Sequence, residues 1–315
     1  MCFDLSSVLY EGLKLGLYYS LPDWSYIDYT NHTNKIKRYT IKENPKRWQN
    51  FLNYRDNQLN ELKNSYKPDL WWFDGDWEHN AVDWKSKELK TELQRDFPNV
   101  IFNSRLNQFG DYETPEIGIP VYRPPSKYWE LCMTINDSWG YQHNDNNYKT
   151  PLQIIDLFVD TISKGGNLLL NISPKSDGSI PEKQKLILKE LGKWNKKHSS
   201  AIYSTNKGIP YDHFYGPSTL SKDNKTLFLF VRDIPKDNQI VLKGISNKIN
   251  RAYIVGNGTV LNQQLLCKVY WNKYPGITYI EIPKKTLDPY YTVIAIVLDS
   301  PIKLFNKNTG AIELN

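Results

Sequence analysis

The sequence predicts an α/β protein: a (β/α)8-like barrel with about five strand–helix units present and its first three missing, followed by a small antiparallel β-sandwich. Three observations carry this reading. Short apolar runs alternate with amphipathic stretches through about residue 207, the grammar of a parallel sheet with helical crossovers. Polar and acidic residues gather directly after the apolar runs, where barrel enzymes keep their chemistry. Beyond Gly208 the spacing shortens to β runs divided by turn signals. The expected domains are therefore 1–207 and 208–315, a division that suits a chain of 315 residues.

The elements follow in order. A helix ends near Gly12, and Leu13–Ser20 is a buried strand with Asp23 and Trp24 in the loop after it. Residues 25–43 show no period and form a long loop. Asn44 and Pro45 start a helix as N-cap and first turn, with Trp48, Phe51, Leu52, Leu59 and Leu62 on one face. Leu70–Phe73 is a short strand cut off by Asp74 and Gly75. A helix over about Ala81–Phe97 and a strand over Val100–Asn103 follow. Trp129–Thr134 is the next strand, Thr150 and Pro151 open a helix that Gly165 and Gly166 stop, Asn167–Ile172 is a strand, and a helix covers about Pro181–Lys197. The later β runs are 226–231, 239–242, 251–255, 278–282 and 292–298. No Gly-rich phosphate loop follows any strand, which disfavours an open nucleotide-binding sheet.

Composition excludes several classes of function. The longest apolar runs fall far short of the roughly 20 residues of a membrane span. The net charge of +6 comes from scattered lysines, with no block that reads as a nucleic-acid tail. Three cysteines and five dispersed histidines give no disulfide framework and no metal spacing, so neither metal nor cofactor is expected. The start shows no basic and apolar leader. Aromatics are the outlier at 14%, and aromatic faces pack on the C–H faces of sugar rings as readily as they fill a core.

Asp74 is the first candidate for chemistry: a short carboxylate at a strand tip, walled by Trp72. Cleaving a glycosidic bond takes two carboxyl groups, one against the anomeric carbon and one giving a proton to the leaving oxygen. Glu116, in the loop after the next strand, is the candidate partner. Glu130 competes from the start of the following strand, and Glu113 and Asp76 are expected to be solvated. Arg105 closes the strand between Asp74 and Glu116 and could bind a hydroxyl or hold a carboxylate ionised.

Four stretches, Gly12-Leu-Lys-Leu-Gly-Leu-Tyr-Tyr-Ser20, Trp72-Phe-Asp-Gly75, Trp129-Glu-Leu-Cys-Met-Thr-Ile-Asn-Asp-Ser-Trp-Gly-Tyr141 and Gly166-Asn-Leu-Leu-Leu-Asn-Ile-Ser-Pro174, resemble the α-L-fucosidases of glycoside hydrolase family 29. The resemblance implies a retaining hydrolase of terminal α-L-fucose, with a fucosylated glycan as partner and a secreted, periplasmic or lysosomal setting. It puts the nucleophile on Asp74 and the acid/base on Glu116, with Glu130 as rival. It implies fucose contacts from Tyr19 and Arg105, and aromatic walls from Trp72 and Trp139. The family's paired histidines have no counterpart here, since no two histidines adjoin. The sequence is accordingly expected to be an N-terminally truncated form that is poorly stable and hydrolyses little. The alternatives are a non-catalytic sugar-binding remnant and a retaining glycosidase for another sugar.

Overall fold

The structure, a computed structural model, describes residues 12–118, 120 and 127–305. The helix expected before Gly12 lies outside them. In order, the α/β part holds β1 (Gly16–Ser20), α1 (Pro45–Tyr66), β2 (Leu70–Asp74), α2 (Ala81–Trp84), α3 (Ser86–Gln94), β3 (Ile101–Phe102), β4 (Glu130–Thr134), α4 (Pro151–Ser163), β5 (Asn167–Asn171) and α5 (Glu182–His198). Helix α1 starts where the sequence directs, with the Asn44 side chain accepting the Arg47 N–H and Pro45 in the first turn. Helix α4 opens with a capping box between Thr150 and Gln153.

The single helix expected over 81–97 is broken. Lys85 adopts a left-handed φ of 50° between α2 and α3. Neighbouring hydrogen bonds account for the break. Asn80 caps the amides of Val82 and Asp83, the buried indole of Trp84 donates to the Asp76 carbonyl, and Arg55 takes the Trp84 carbonyl at 2.7 Å.

The described chain forms two compact units. The first reaches Thr114 and also takes in Tyr128; the second starts at Pro115 and resumes at Trp129. In the first, β1, β2 and β3 make a parallel sheet in sequence order, with Tyr18 opposite Trp72 and Ser20 opposite Asp74. One face of that sheet carries Trp71, Phe73 and Phe102 into an aromatic core with Trp48, Phe51 and Leu59 of α1 and with Trp84. Strand β3 is only two residues long. Beyond it the buried side chain of Asn103 takes over the pairing, accepting the Phe73 N–H and donating to the Phe73 carbonyl, both at 2.9 Å.

In the second unit, β4 and β5 pair in parallel. The antiparallel part adds β6 (Thr205–Lys207), β7 (Ser218–Ser221), β8 (Thr226–Val231), β9 (Gln239–Lys243), β10 (Ile249–Ile254), β11 (Gln263–Leu266), β12 (Ile277–Glu281) and β13 (Thr292–Leu298). These form a five-stranded sheet, β10-β13-β8-β7-β6, and a three-stranded one, β11-β12-β9. Strands β8 and β13 are apolar on both faces for a reason. Leu227, Leu229, Ile294 and Ile296 join Ile240, Leu242 and Ile280 of the smaller sheet in one core. Phe228, Phe230, Val293 and Ala295 face the other way, onto Ile155 and Val159 of α4 and Trp194 of α5. This shared core is why α4 and α5 group with the β strands, although the alternation along the chain places them with the earlier strand–helix units. Strands β6, β7 and β11 went unanticipated because they are short and polar or, for β11, exposed throughout.

Candidate functional site

Asp74 is the last residue of β2, on the sheet face opposite the aromatic core. Alternation along the strand gives it the same side as Trp72, and the parallel register adds Tyr18 and Ser20. The backbone beyond it turns sharply. Gly75 has φ 80°, and a Cβ there would lie 2.3 Å from the Pro22 ring, so only glycine fits. Behind the turn, Leu21 N–H donates to the Asp74 carbonyl at 2.9 Å, which fixes the strand tip.

Both carboxylate oxygens of Asp74 are engaged. Arg105 Nη1 donates to Oδ1 at 2.7 Å, and the Tyr18 hydroxyl donates to Oδ2 at 2.7 Å. The two donors share one platform. The Tyr18 ring stacks on Trp72, with centroids 5.6 Å apart and planes 21° off parallel. The Arg105 guanidinium lies 4.6 Å from the Trp72 ring centre and 6.0 Å from that of Trp77. The Tyr18 ring is largely exposed, but partial burial of its hydroxyl end, with the bond to Asp74, pushes its pKa above the usual phenol value. A carboxylate held on one oxygen by a guanidinium and on the other by a phenol has its oxygens fixed in direction.

The turn after β2 is braced from two sides. Glu78 accepts the Trp24 indole N–H at 2.9 Å, the Tyr29 hydroxyl at 2.6 Å and the Asn31 amide at 2.9 Å, tying residues 24–31 to the strand tip. Asp76 accepts the Asn107 backbone N–H at 2.6 Å. Burial raises the Asp76 pKa, Asn107 and Arg105 oppose this, and the Asp74 charge pushes it further up. The expectation that Asp76 is solvated is therefore corrected. Trp77 beside it is 69% exposed, a bare indole next to Arg105.

Tyr19 is the second correction. It points into the aromatic core, its ring edge-on to Phe73 and its hydroxyl donating to Gln58 of α1 at 2.7 Å. Tyr18 holds the place beside Asp74 that was expected of its neighbour. Two adjoining tyrosines on a strand face opposite ways, and only the pairing of Ser20 with Asp74 decides which one shares the carboxylate's side. The signals that could have flagged Trp77 and Glu78 lay in the same short stretch, where an aromatic and an acid follow Asp74 within four residues.

Glu113 is half-buried at the end of the first unit, and Glu116, Glu130 and Trp139 lie in the second. Glu116 is exposed, in a segment that runs parallel to β4: Cys132 N–H donates to the Pro115 carbonyl at 3.0 Å and Ile117 N–H to the Cys132 carbonyl at 3.2 Å. Ile117, a β-branched residue, has a left-handed φ of 58°. Such strain costs on the order of 1–3 kcal/mol and concentrates at functional sites. Glu130 is half-buried at the start of β4, in register with Asn167. Trp139 is 40% exposed, and its carbonyl accepts the Asn171 amide at 2.7 Å. The loop carrying it is anchored by buried Asn136, which donates to Asp145 and accepts from Gln184, while Asp145 also takes the Ser138 N–H. Among the described residues no group of His, Cys, Asp and Glu is arranged to hold a metal, and no helix is long and apolar enough to cross a membrane.

The described residues thus combine mixed α/β and antiparallel β structure with a carboxylate clamped at a parallel-strand tip against indole. The chain belongs to the alpha-L-fucosidase family, whose model matches residues 5–200. It is 29% identical over 296 residues to the alpha-L-fucosidase of Dictyostelium discoideum, an alignment covering 88% of this chain and 61% of that protein. It is 34% identical over 208 residues to tissue alpha-L-fucosidase of Homo sapiens, covering 62% and 42%. Among solved structures it is similar to alpha-L-fucosidase isoenzyme 1 from Paenibacillus thiaminolyticus, with a TM-score of 0.82, 28% identity, and 94% of this chain and 74% of that one covered. It also resembles a GH29 alpha-L-fucosidase from Bacteroides thetaiotaomicron, solved as a trapped covalent intermediate with 2-fluoro-fucosyl fluoride (TM-score 0.76, 26% identity, 94% and 70% covered). The chain thus spans about two-fifths to three-fifths of the length of these two curated relatives.

Proposed function

We propose that this protein is a retaining exo-glycosidase that hydrolyses terminal α-L-fucose from glycoconjugates or oligosaccharides by double displacement. The observation that carries the reading is the Asp74 carboxylate, gripped on both oxygens by Arg105 and Tyr18. Family membership and the fucosyl intermediate trapped in the Bacteroides relative support fucose as the sugar.

In this reading the α/β segments through about residue 207 belong to a (β/α)8-like barrel, and residues 208–315 are its β-sandwich companion. Asp74 attacks the anomeric carbon, the bond to the leaving oxygen breaks, and Glu116 supplies that oxygen with a proton. Glu116 then takes a proton from water, which displaces Asp74 and frees fucose with its configuration retained. Retaining sites of this kind place the two carboxyls roughly 5–5.5 Å apart. Glu116 is preferred to Glu130 because strained Ile117 adjoins it, whereas Glu130 starts an ordered strand. Arg105 and Tyr18 orient the nucleophile and contact the sugar, and Trp72, Trp77 and Trp139 offer aromatic walls.

The test is dependence on Asp74 rather than absolute rate. With an aryl α-L-fucoside, Asp74→Gly is expected to abolish hydrolysis, and added azide to restore turnover as an inverted fucosyl azide. Hydrolysis that survives the substitution undiminished would contradict the assignment. Inhibition by fucose and not by galactose is expected, and the reverse would transfer the reading to another sugar.

A further inference from the structure

The second unit contains an open pocket of about 310 Å³, remote in sequence from every residue assigned a role above. It lies between the loop at 214–217, the end of β8 with the segment after it, the start of β9, and Tyr291. Its floor is aromatic and closed: Phe214, Phe230 and Tyr291 are all buried. Around its mouth stand the exposed Tyr215, Arg232 and Asp233, with Gln239 partly exposed in the lining.

The mouth is held in place before any ligand arrives. Arg232 Nη1 donates to Asp156 Oδ2 at 2.8 Å, which fixes the guanidinium. The loop bearing Tyr215 is sewn to the end of β9, as Lys243 N–H donates to the His213 carbonyl at 2.9 Å and the His213 ring meets the Lys243 carbonyl at 2.8 Å. Lys243 Nζ lies 5.3 Å from the centre of the Tyr215 ring, yet Tyr215 remains 74% exposed. Gly216 keeps the floor tight, because a Cβ there would stand 2.7 Å from the Phe214 ring.

These features select a ligand class. An exposed aromatic face packs against the C–H face of a sugar ring. A carboxylate, an amide and a guanidinium together accept from and donate to neighbouring hydroxyls. The volume sits at the low end of ligand pockets, enough for one ring. Arg232, the one cation in the lining, is already engaged by Asp156, Lys243 lies against the Tyr215 ring, and Asp233 adds negative charge, so an anionic ligand gains little. We propose that this pocket binds a single neutral pyranose ring of a glycan, independently of the Asp74 site.

The experiment is saturation-transfer NMR on the whole chain with three probes: methyl β-D-galactopyranoside, methyl β-D-glucopyranoside and the methyl β-glycoside of N-acetylglucosamine. At least one probe is expected to receive saturation from the protein. Binding should weaken about tenfold in Tyr215→Ala, the loss of one stacking contact, and should fall likewise in Gln239→Ala. Asp74→Asn should leave it unchanged. Tyr215 is exposed, so its variant is expected to unfold at the wild-type temperature; should it not, Gln239→Ala decides alone. Saturation of none of the probes, binding that survives both pocket substitutions, or binding lost with Asp74→Asn would overturn the proposal.

Discussion

Tyr18 and Tyr19 adjoin in sequence and differ in consequence. Tyr18→Phe removes the phenol that donates to Asp74 and leaves the stack on Trp72. We expect hydrolysis of an aryl α-L-fucoside to fall about tenfold, the worth of one charge-assisted hydrogen bond, with the unfolding midpoint unchanged. Tyr19→Phe should do the reverse, lowering stability by about 1 kcal/mol through the lost bond to Gln58 and leaving the rate alone. Denaturant melts and initial rates on the two variants check the pair. Arg105→Met, which strips the guanidinium from Asp74, should cost about 10²–10³ in rate. Asp74, Arg105 and Trp72 were legible because an acid ending an apolar run, and an arginine ending the next, mark strand tips. Which tyrosine stands beside Asp74 was not legible, because it depends on a strand pairing that no local pattern encodes.

The tip of β2 rests on two devices. Gly75 turns the chain away from Asp74 where no other residue fits, so Gly75→Ala is expected to destabilise the first unit by about 1–3 kcal/mol. Asn103 continues a two-residue strand with its side chain. Asn103→Ala leaves the Phe73 N–H and carbonyl buried without that partner, at a cost of about 1–3 kcal/mol for each bond. Circular dichroism melts of the two variants measure both effects. Helix starts at Asn44–Pro45 and Thr150–Pro151 were readable because capping chemistry is local. The break at Lys85 was not, since it follows from the Trp84 carbonyl being claimed by an arginine 29 residues earlier.

Over the whole molecule, the alternation along the chain forecast a catalytic half and a sandwich half, whereas packing groups α4 and α5 with the antiparallel sheet. Both faces of β8 and β13 are apolar, which signals a central strand but cannot say what covers each face. Asp288 lies at this junction. Burial would raise its pKa, but His198 and Lys197 outweigh that and hold it near 2, against an ordinary 3.8. A depressed carboxylate stabilises the fold above its unfolded value and loses that contribution as acid protonates it. Stability of the second unit is therefore expected to fall between about pH 4 and pH 2. Asp288→Asn should flatten that acid limb, and melting curves across the range test it. The proposed reaction turns on one atom pair, a carboxylate oxygen of Asp74 and the anomeric carbon of fucose. Incubation with 2-fluoro-fucosyl fluoride releases fluoride and leaves the sugar as an ester on the nucleophile, and peptide mass spectrometry then locates it. The added mass is expected on the peptide containing Asp74 and is expected to be absent in Asp74→Asn; an ester on any other residue would rule Asp74 out as the nucleophile.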